Sequence, residues 1–170
     1  MYLPIDITLR LVKTLVFPVL DYCSVLFTDM LVDTSIKVQR AQNACMRFVT
    51  GVKKYDPITP SFVNFEVLKV EDRRKLAVAL LAWKIHKFKV PIYLYNQYVL
   101  MSTVHFRCNR FTNVSLQIPR HRTEKYGNSF LITSCRLWND WNTASFLHYK
   151  TDVKLKQLLI SCALQKYKLA

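Results

Sequence analysis

The sequence predicts a mainly α fold, and three observations support that prediction. The chain of 170 residues contains only 6 prolines and 2 glycines, so it lacks the many turns of a β-sandwich and the glycine-rich loop of a phosphate site. Hydrophobic residues make up 51% of it, which is enough for a buried core. Apolar residues recur at steps of three and four over several stretches, as in amphipathic helices. We expect a helical bundle over residues 1–90, followed over residues 91–170 by irregular basic loops and two helices.

The first helix is predicted by an apolar stripe near the N-terminus. Alternating steps of three and four connect its members, which are Leu9, Val12, Val16, Val19, Cys23, Leu26 and Met30. Leu11, Leu15 and Tyr22 widen the stripe, so this helix needs cover on more than one side. Pro18 should kink the helix or split it in two. The stripe is therefore predicted to be either core or a docking face.

A second helix is predicted between a polar cap and a glycine. Asp33, Thr34 or Ser35 can cap its start, and Gly51 follows its end. Its expected apolar line consists of Val38, Ala41, Cys45 and Phe48.

Two further helices are predicted in the first half. Phe62, Phe65 and Leu68 indicate a short one, and a longer one should run over about residues 71–88. The apolar stripe expected on the longer helix, with its neighbours, is Leu76, Leu80, Trp83, Ala77, Leu81 and Ile85.

The periodic pattern weakens in the second half. Residues 95–125 show no sustained period, which predicts loops with a short hairpin. Regularity returns between Phe130 and Trp141 and again between Val153 and Leu164. We expect one helix in each of these two stretches.

The charge of the chain points to an anionic partner. It contains 25 Lys and Arg against 11 Asp and Glu, a formal net charge of +14. Residues 1–85 hold 12 basic and 8 acidic residues, whereas residues 86–170 hold 13 and 3. Such an excess favours an anionic partner, either an acidic membrane surface or RNA or DNA bound non-specifically through its backbone, and the alternative interpretation is solubility alone.

The cysteines give no sign of disulfides or structural zinc. They are odd in number and never form a C-x-x-C pair: Cys23, Cys45, Cys108, Cys135 and Cys162. We expect reduced thiols in an intracellular protein, with nucleus and cytoplasm not distinguished. Charges interrupt the apolar runs before these could span a bilayer, so no membrane partner is expected.

Neither a metal site nor a hydrolase site is predicted. A zinc site would need convergence of His105, Cys108, His121 and Cys135, of which only the first two have ligand-like spacing. A cysteine–histidine hydrolase would need a nucleophile motif, and nothing around these residues resembles one. No cofactor is expected.

Short motifs follow one another in a fixed order along nearly the whole chain. The earlier ones are Leu20-Asp21-Tyr22, Val38-Gln39-Arg40-Ala41-Gln42-Asn43, Arg47, Gly51, Leu68, Arg73-Arg74 and Pro91-Ile92-Tyr93-Leu94. The later ones are Pro119, Arg122-Thr123, Phe130 and Leu137-Trp138-Asn139. Together they resemble the region behind the polymerase palm in reverse transcriptases of non-LTR, jockey-like (LINE-like) retrotransposons.

The resemblance implies a fold and a role. In that family the region is a helical thumb, here residues 1–90, and a post-thumb region, here residues 91–170. It packs against the upstream polymerase palm and steadies the RNA template and primer. The chemistry of the family lies in the palm, on two metal ions held by an Asp-Asp turn, and this sequence has no Asp-Asp pair. We therefore expect a non-catalytic fragment of an RNA-directed DNA polymerase.

The sequence also departs from the family pattern. Cys23 stands where the family more often has Gly, Asn139-Asp140-Trp141 replaces the usual Asn-x-Leu-Pro, and the C-terminal cysteine–histidine knuckle of some relatives is missing. The acidic pair Glu71-Asp72 opens a helix, where capping and ion pairing explain it better than metal binding.

Two clusters of cations are the candidate nucleic-acid contacts. Lys37, Arg40 and Arg47 lie on one side of the second helix and could bind successive phosphates, although a solvated helix face fits equally well. The second cluster, in the irregular segment, consists of Arg107, Arg110, Arg120, Arg122 and Lys125. The side chains interleaved with it are His105, Phe106, Phe111, His121 and Tyr126. Cations mixed with rings on loops suit a flexible strand.

Other polar and aromatic residues have two interpretations each. Gln42 and Asn43 could bind sugar or phosphate, or could be buried amides that fix helix packing. Trp83 and Trp138 could stack on bases, but their aliphatic neighbours at helical spacing favour core packing. The competing function is a helical protein-interaction module that docks or self-associates through the apolar first helix.

Overall fold

A computed structural model describes residues 3–104, 115–140 and 152–169. The regular elements in these ranges are helices, and one isolated antiparallel bridge joins Leu100 to Leu116. The predicted mainly α fold is confirmed. In chain order the helices are α1 (Ile5–Leu11), α2 (Phe17–Asp21), α3 (Val32–Thr50), α4 (Thr59–Asn64), α5 (Val70–Phe88), α6 (Ile92–Tyr95), α7 (Met101–Val104), α8 (Glu124–Gly127), α9 (Phe130–Asp140) and α10 (Asp152–Leu169).

The chain divides into two units. Unit 1 comprises Met1–Arg74 together with Ile160–Ala170, and unit 2 comprises Lys75–Leu159. The division therefore falls inside α5 and returns inside α10, whereas the sequence suggests a boundary at residue 90.

A π-helical turn displaces the predicted apolar stripe of the first helix. It spans Val12–Val16 and connects α1 to α2. The fully buried side chains are Thr8, Val12 and Phe17, spaced by four and then five residues. A π turn takes up one extra residue, so the inward position moves from Val16 to Phe17. Because Pro18 has no N–H, it cannot donate the α-helical hydrogen bond to the carbonyl oxygen of Thr14, which fits the widened turn before α2.

The C-terminal part of that stripe is wrong as a prediction. The backbone leaves the helix after Asp21, turns at Cys23 in the left-handed region (φ 50°, ψ 25°) and continues as a 3-10 helix, Ser24–Asp29. Val19, Tyr22 and Leu26 are consequently 73%, 75% and 74% exposed. Helical periodicity cannot continue through a left-handed residue, so Leu26 loses the common face. Val19 lies before Cys23, and its displacement follows from the π turn.

Helix α3 confirms its predicted end and corrects its predicted start. Gly51 adopts φ 71°, and its N–H donates to the Arg47 carbonyl oxygen at 2.8 Å. The helix begins at Val32, with Leu31 at the N-cap and no capping side chain, so the expected caps at residues 33–35 are wrong.

The buried face of α3 also differs from the expected line. Gln42, Met46 and Val49 point inward, whereas Ala41 and Phe48 are exposed. The Gln42 Nε2 donates to the Leu68 carbonyl oxygen at 2.8 Å, and this buried bond fixes which face is turned inward. The core of unit 1 consists of Val12, Phe17, Met46, Val49, Phe62 and Val67.

In unit 2, the long helix α5 and the later helix α9 carry most of the buried hydrophobic residues among those that the structure describes. α5 starts one residue before the predicted position and ends at Phe88 as predicted. The buried hydrophobic residues of unit 2 are Leu76, Val78, Ala79, Ala82, Trp83, Ile85, Leu116, Ile132, Cys135, Trp138, Leu155 and Leu159. The core-packing interpretation of Trp83 and Trp138 is thereby confirmed, whereas Leu80 of the expected stripe is only partly buried. Trp141 lies outside the described residues.

Candidate nucleic-acid interface

The first predicted cluster is only partly available on α3. Lys37 and Arg40 are exposed. Arg47 is partly buried, and its Nε and Nη2 donate to the carbonyl oxygens of Lys53 and Asp56, each at 3.2 Å. Two of the five guanidinium N–H groups therefore close the loop after α3. Lys37 and Arg40 are the members of this cluster that stand toward solvent.

The amides beside this cluster hold helices together. Gln39 Nε2 donates to Gln42 Oε1 at 3.0 Å and to Asn43 Oδ1 at 2.8 Å, while Gln39 Oε1 accepts from the N–H of Val70 at 3.0 Å. Gln42 is completely buried. The packing interpretation of Gln42 is confirmed, and Gln39 joins it in a role that the spacing of the sequence did not reveal.

The paired arginines at the start of α5 are also structural. Arg73 forms an ion pair with Asp21, and its guanidinium lies 4.4 Å from the centroid of the Phe17 ring. Arg74 Nη2 contacts the Met30 sulfur at 3.5 Å, and burial lowers the pKa of Arg74 despite the nearby charge of Glu71. These two cations are bound to the end of α2 and to the segment after it, so they do not form part of a free surface.

A tyrosine that sequence reasoning missed joins the C-terminal helix to the start of α5. The Tyr167 hydroxyl donates to the Asp72 carboxylate and accepts from the Lys69 N–H at 3.1 Å. The Lys69 ammonium also lies 5.1 Å from the centroid of the Tyr167 ring. Burial, and then the bond to Asp72, raises the pKa of Tyr167. Asp72 is thus a structural acceptor at a helix start.

The second predicted cluster is described in part. Arg107 and Arg110 lie outside the described residues, as do His105, Phe106, Cys108 and Phe111. Arg120, Arg122 and Lys125 are exposed, close to one another in the sequence around α8. These three cations are the part of the predicted interface that the structure places in solvent.

His121 anchors this basic segment. Its Nδ1 lies 3.2 Å from the Pro119 carbonyl oxygen, and its Nε2 lies 3.4 Å from Nη2 of Arg136. A carbonyl can only accept, so Nδ1 carries the proton and Nε2 accepts from Arg136. The ring also covers Gly127, where an added Cβ would stand 2.8 Å from His121 Cδ2. Arg136, which is exposed on α9, therefore adds a fourth cation that sequence reasoning missed.

An aromatic cluster surrounds His86 within unit 2. The centroid of its ring lies 4.4 Å from Trp138, 4.7 Å from Tyr98 and 6.0 Å from Tyr95. Its Nε2 is buried and has no hydrogen-bond partner among the described residues. Burial lowers the pKa of His86 to about 4. The ring is therefore neutral near pH 7.

The neighbouring titratable groups are held in their protonated forms. The Tyr98 hydroxyl lies 2.8 Å from Ser134 Oγ, and burial raises its pKa to about 12. Burial also raises the pKa of the Cys135 thiol to about 11. A thiolate is needed both for nucleophilic attack and for metal binding, so Cys135 suits neither role.

No group of three or more His, Cys, Asp and Glu side chains in the described ranges could hold a metal ion. No helix in these ranges combines the length and apolar character that a bilayer crossing requires.

No protein-family model, curated protein or solved structure matches the chain. The retrotransposon assignment of the motifs therefore stays a prediction.

Proposed function

We propose that this chain is a non-catalytic thumb and post-thumb piece of a non-LTR retrotransposon reverse transcriptase, which binds template and primer through their phosphate backbones. The observation that supports binding is an uncompensated charge. Residues 75–159 contain 13 Lys and Arg against 3 Asp and Glu, a net of +10. Intramolecular ion pairs cannot neutralise such an excess, so cations remain for an anionic partner.

Part of this excess charge lies on the exposed cations around α8. Arg120, Arg122, Lys125 and Arg136 all reach solvent. Phosphate contacts of this kind position a nucleic acid without reading its sequence. The expected ligand is therefore RNA or DNA of any sequence, bound with a strong dependence on salt.

The backbone at Cys23 supports the family resemblance. The family more often has Gly at this position, and Cys23 adopts the left-handed conformation that glycine tolerates best. The motif residues Gln42 and Asn139 also make specific hydrogen bonds to backbone groups, with Leu68 and Leu116 respectively. If the chain shares the fold of that family, its motif residues should have structural roles of this kind.

Salt-dependent binding tests the proposal. The purified chain is titrated against a labelled RNA–DNA duplex at several salt concentrations. Replacing Arg120 and Arg122 with Ala should weaken binding and reduce the salt slope by about one to two, because each lost phosphate contact removes about one released counterion.

A charge-matched control is available in unit 1. Replacing Lys53 and Lys54, both exposed, with Ala removes the same charge from a loop outside the proposed interface. That variant should change the slope less than the arginine pair does. Equal slopes for both variants and the wild type, with helicity intact by circular dichroism, would contradict the proposal.

A second candidate function rests on the exposed apolar side chains in and after the π turn. Leu15, Val19, Tyr22 and Leu26 stand largely in solvent within one short stretch of unit 1. Contiguous exposed apolar surface is typical of a protein-docking face, and the palm of the parent polymerase is the expected partner. Val19→Lys should then abolish self-association or docking that is insensitive to salt. Association that disappears at high salt would exclude this function.

A further inference from the structure

Around the turn between α5 and α6, rings, aliphatic groups and lysines that are close together in the sequence are exposed. These residues, here called the basic–aromatic patch, are Lys84, Lys87, Phe88, Lys89, Val90, Ile92 and Tyr93. Phe88, Val90, Ile92 and Tyr93 are 60%, 66%, 69% and 65% exposed. Four large apolar side chains within six residues are thus left in solvent, although unit 2 has a core that could receive them.

Two of the lysines in the patch lie near aromatic rings. The Lys87 ammonium lies 5.5 Å from the centroid of Phe88 and 4.3 Å from that of the buried Trp83. The Lys89 ammonium lies 5.8 Å from the centroid of the Tyr95 ring. The exposed Phe88 ring therefore has an ammonium group beside it, while Lys87 and Lys89 also contact the buried Trp83 and the partly buried Tyr95.

The three lysines carry more positive charge than the partial negative charge at the C-terminus of α5. The C-terminus of a helix presents about half a negative charge, which one lysine is enough to offset. Three lysines are exposed here, and residues 73–123 contain no aspartate or glutamate. This stretch of the sequence is therefore positively charged, which favours an anionic ligand.

We propose that the basic–aromatic patch binds single-stranded nucleic acid, with bases stacked on Phe88 and Tyr93 and phosphates contacting Lys84, Lys87 and Lys89. This inference rests on the proposed function, and it adds a second surface that binds the single-stranded form of nucleic acid. Exposed rings can stack only on bases with a free face, and a duplex covers those faces. A ring beside an ammonium group matches a nucleotide, in which a base lies near a phosphate.

An anionic lipid surface fits the patch less well. Insertion of Phe88 into the hydrocarbon region would require the Lys87 side chain to give up its contacts with the Phe88 and Trp83 rings in order to keep its ammonium group in water. A nucleotide strand instead leaves that ammonium hydrated against a phosphate.

The test compares single-stranded and duplex binding by the full chain. The probes are labelled oligothymidylate of about 20 nucleotides, longer than a typical single-strand site, and a DNA duplex of equal length. Phe88→Leu with Tyr93→Leu keeps apolar area but removes both flat rings. We expect about tenfold weaker binding to the single strand and unchanged binding to the duplex.

Two further variants act as controls. Leu31→Ser with Val32→Ser alters two exposed aliphatic side chains of unit 1, outside the patch, and should leave both affinities unchanged. Because Phe88 contacts Trp83 edge-on at 6.3 Å, Tyr93→Leu alone is measured as well, and it should still weaken the single strand by about fivefold. Circular dichroism checks the fold of each variant.

The outcomes separate the two proposals. A wild type that binds neither probe overturns the proposed function and this inference together. Duplex binding with no single-strand binding, or a single-strand affinity that the ring variants do not change, overturns this inference alone. Equal weakening of both probes also overturns it. Binding to phosphatidylserine vesicles that is lost in a Val90→Ser, Ile92→Ser variant would assign the patch to lipid instead.

Discussion

The side chain of Asn139 pairs with the backbone of Leu116 through two hydrogen bonds of 2.9 Å. Oδ1 accepts from the Leu116 N–H, and Nδ2 donates to the Leu116 carbonyl oxygen. Leu116 is buried and also forms the antiparallel bridge to Leu100. The amide of α9 thus satisfies both backbone groups of a buried residue, as a neighbouring strand would.

Asn139→Asp should destabilise the protein by about 2 kcal/mol, because a carboxylate oxygen would replace the donor that faces the Leu116 carbonyl. Urea unfolding followed by circular dichroism measures the change. Asn96→Asp makes the same substitution at an exposed asparagine and should stay within about 0.5 kcal/mol of the wild type. Equal losses in the two variants would show that the paired hydrogen bonds contribute nothing specific.

Cys23→Gly should stabilise the protein by about 1 kcal/mol. The left-handed backbone at Cys23 brings its Cβ close to the following carbonyl group, and glycine has no Cβ. Cys23→Ala keeps the Cβ and is the matched control, for which no gain is expected. The free energy of unfolding of each variant decides the question. A loss of stability in the glycine variant would refute the argument from strain.

Several features with a local signal were predicted well, although the N-cap expected at residues 33–35 was wrong. The start and end of α5 lie within one residue of their predicted positions, because acidic residues mark its first turn and the basic His86 and Lys87 its last. Gly51 ends α3 in the left-handed conformation that its position indicates. Such signals act within one or two turns of backbone, so neighbouring residues are enough to read them.

Burial and bonding of individual side chains required the tertiary structure. The π turn moves the inward position from Val16 to Phe17, and periodicity assumes a regular helix throughout. Arg47 looked free for a phosphate, but it donates to two loop carbonyls. The bond between Tyr167 and Asp72 joins residues 95 positions apart, a distance over which spacing carries no information.

Acid should destabilise the protein through His86. Burial depresses the pKa of its folded form from 6.5 to about 4. The unfolded chain therefore takes up a proton below pH 6.5 while the folded chain does not. The contribution of neutral His86 to stability is fully present above pH 6.5 and is lost as the pH falls toward about 4.

His86→Phe keeps a ring against Trp138 and Tyr98 but removes the titrating nitrogen. Thermal unfolding at about pH 7 and about pH 4.5 should show a smaller acid-induced loss in the variant than in the wild type. The carboxylates titrate equally in both proteins, so the difference between the two acid-induced losses isolates the effect of His86. Identical pH profiles would mean that protonation of His86 does not oppose folding.

Lys89→Gly should separate the stability of the α5 end from its binding role. Lys89 adopts φ 56°, and its N–H donates to the Ile85 carbonyl oxygen at 2.8 Å. A glycine makes the same turn without the cost of a left-handed Cβ, so the variant should gain about 1 kcal/mol of stability. It also loses one ammonium group of the basic–aromatic patch. The salt slope for oligothymidylate should then fall by about 0.7, the value for one phosphate contact on a single strand.

Lys89→Gln completes this comparison, because it removes the charge but keeps the Cβ. It should reduce the salt slope as much as Lys89→Gly does, without any gain in stability. A lysine that serves only to end the helix predicts a different pair of results. In that case the glycine variant would be more stable, and the salt slope of both variants would equal that of the wild type. Measuring unfolding and binding on the same two variants therefore distinguishes a phosphate contact from a helix terminus that happens to be charged.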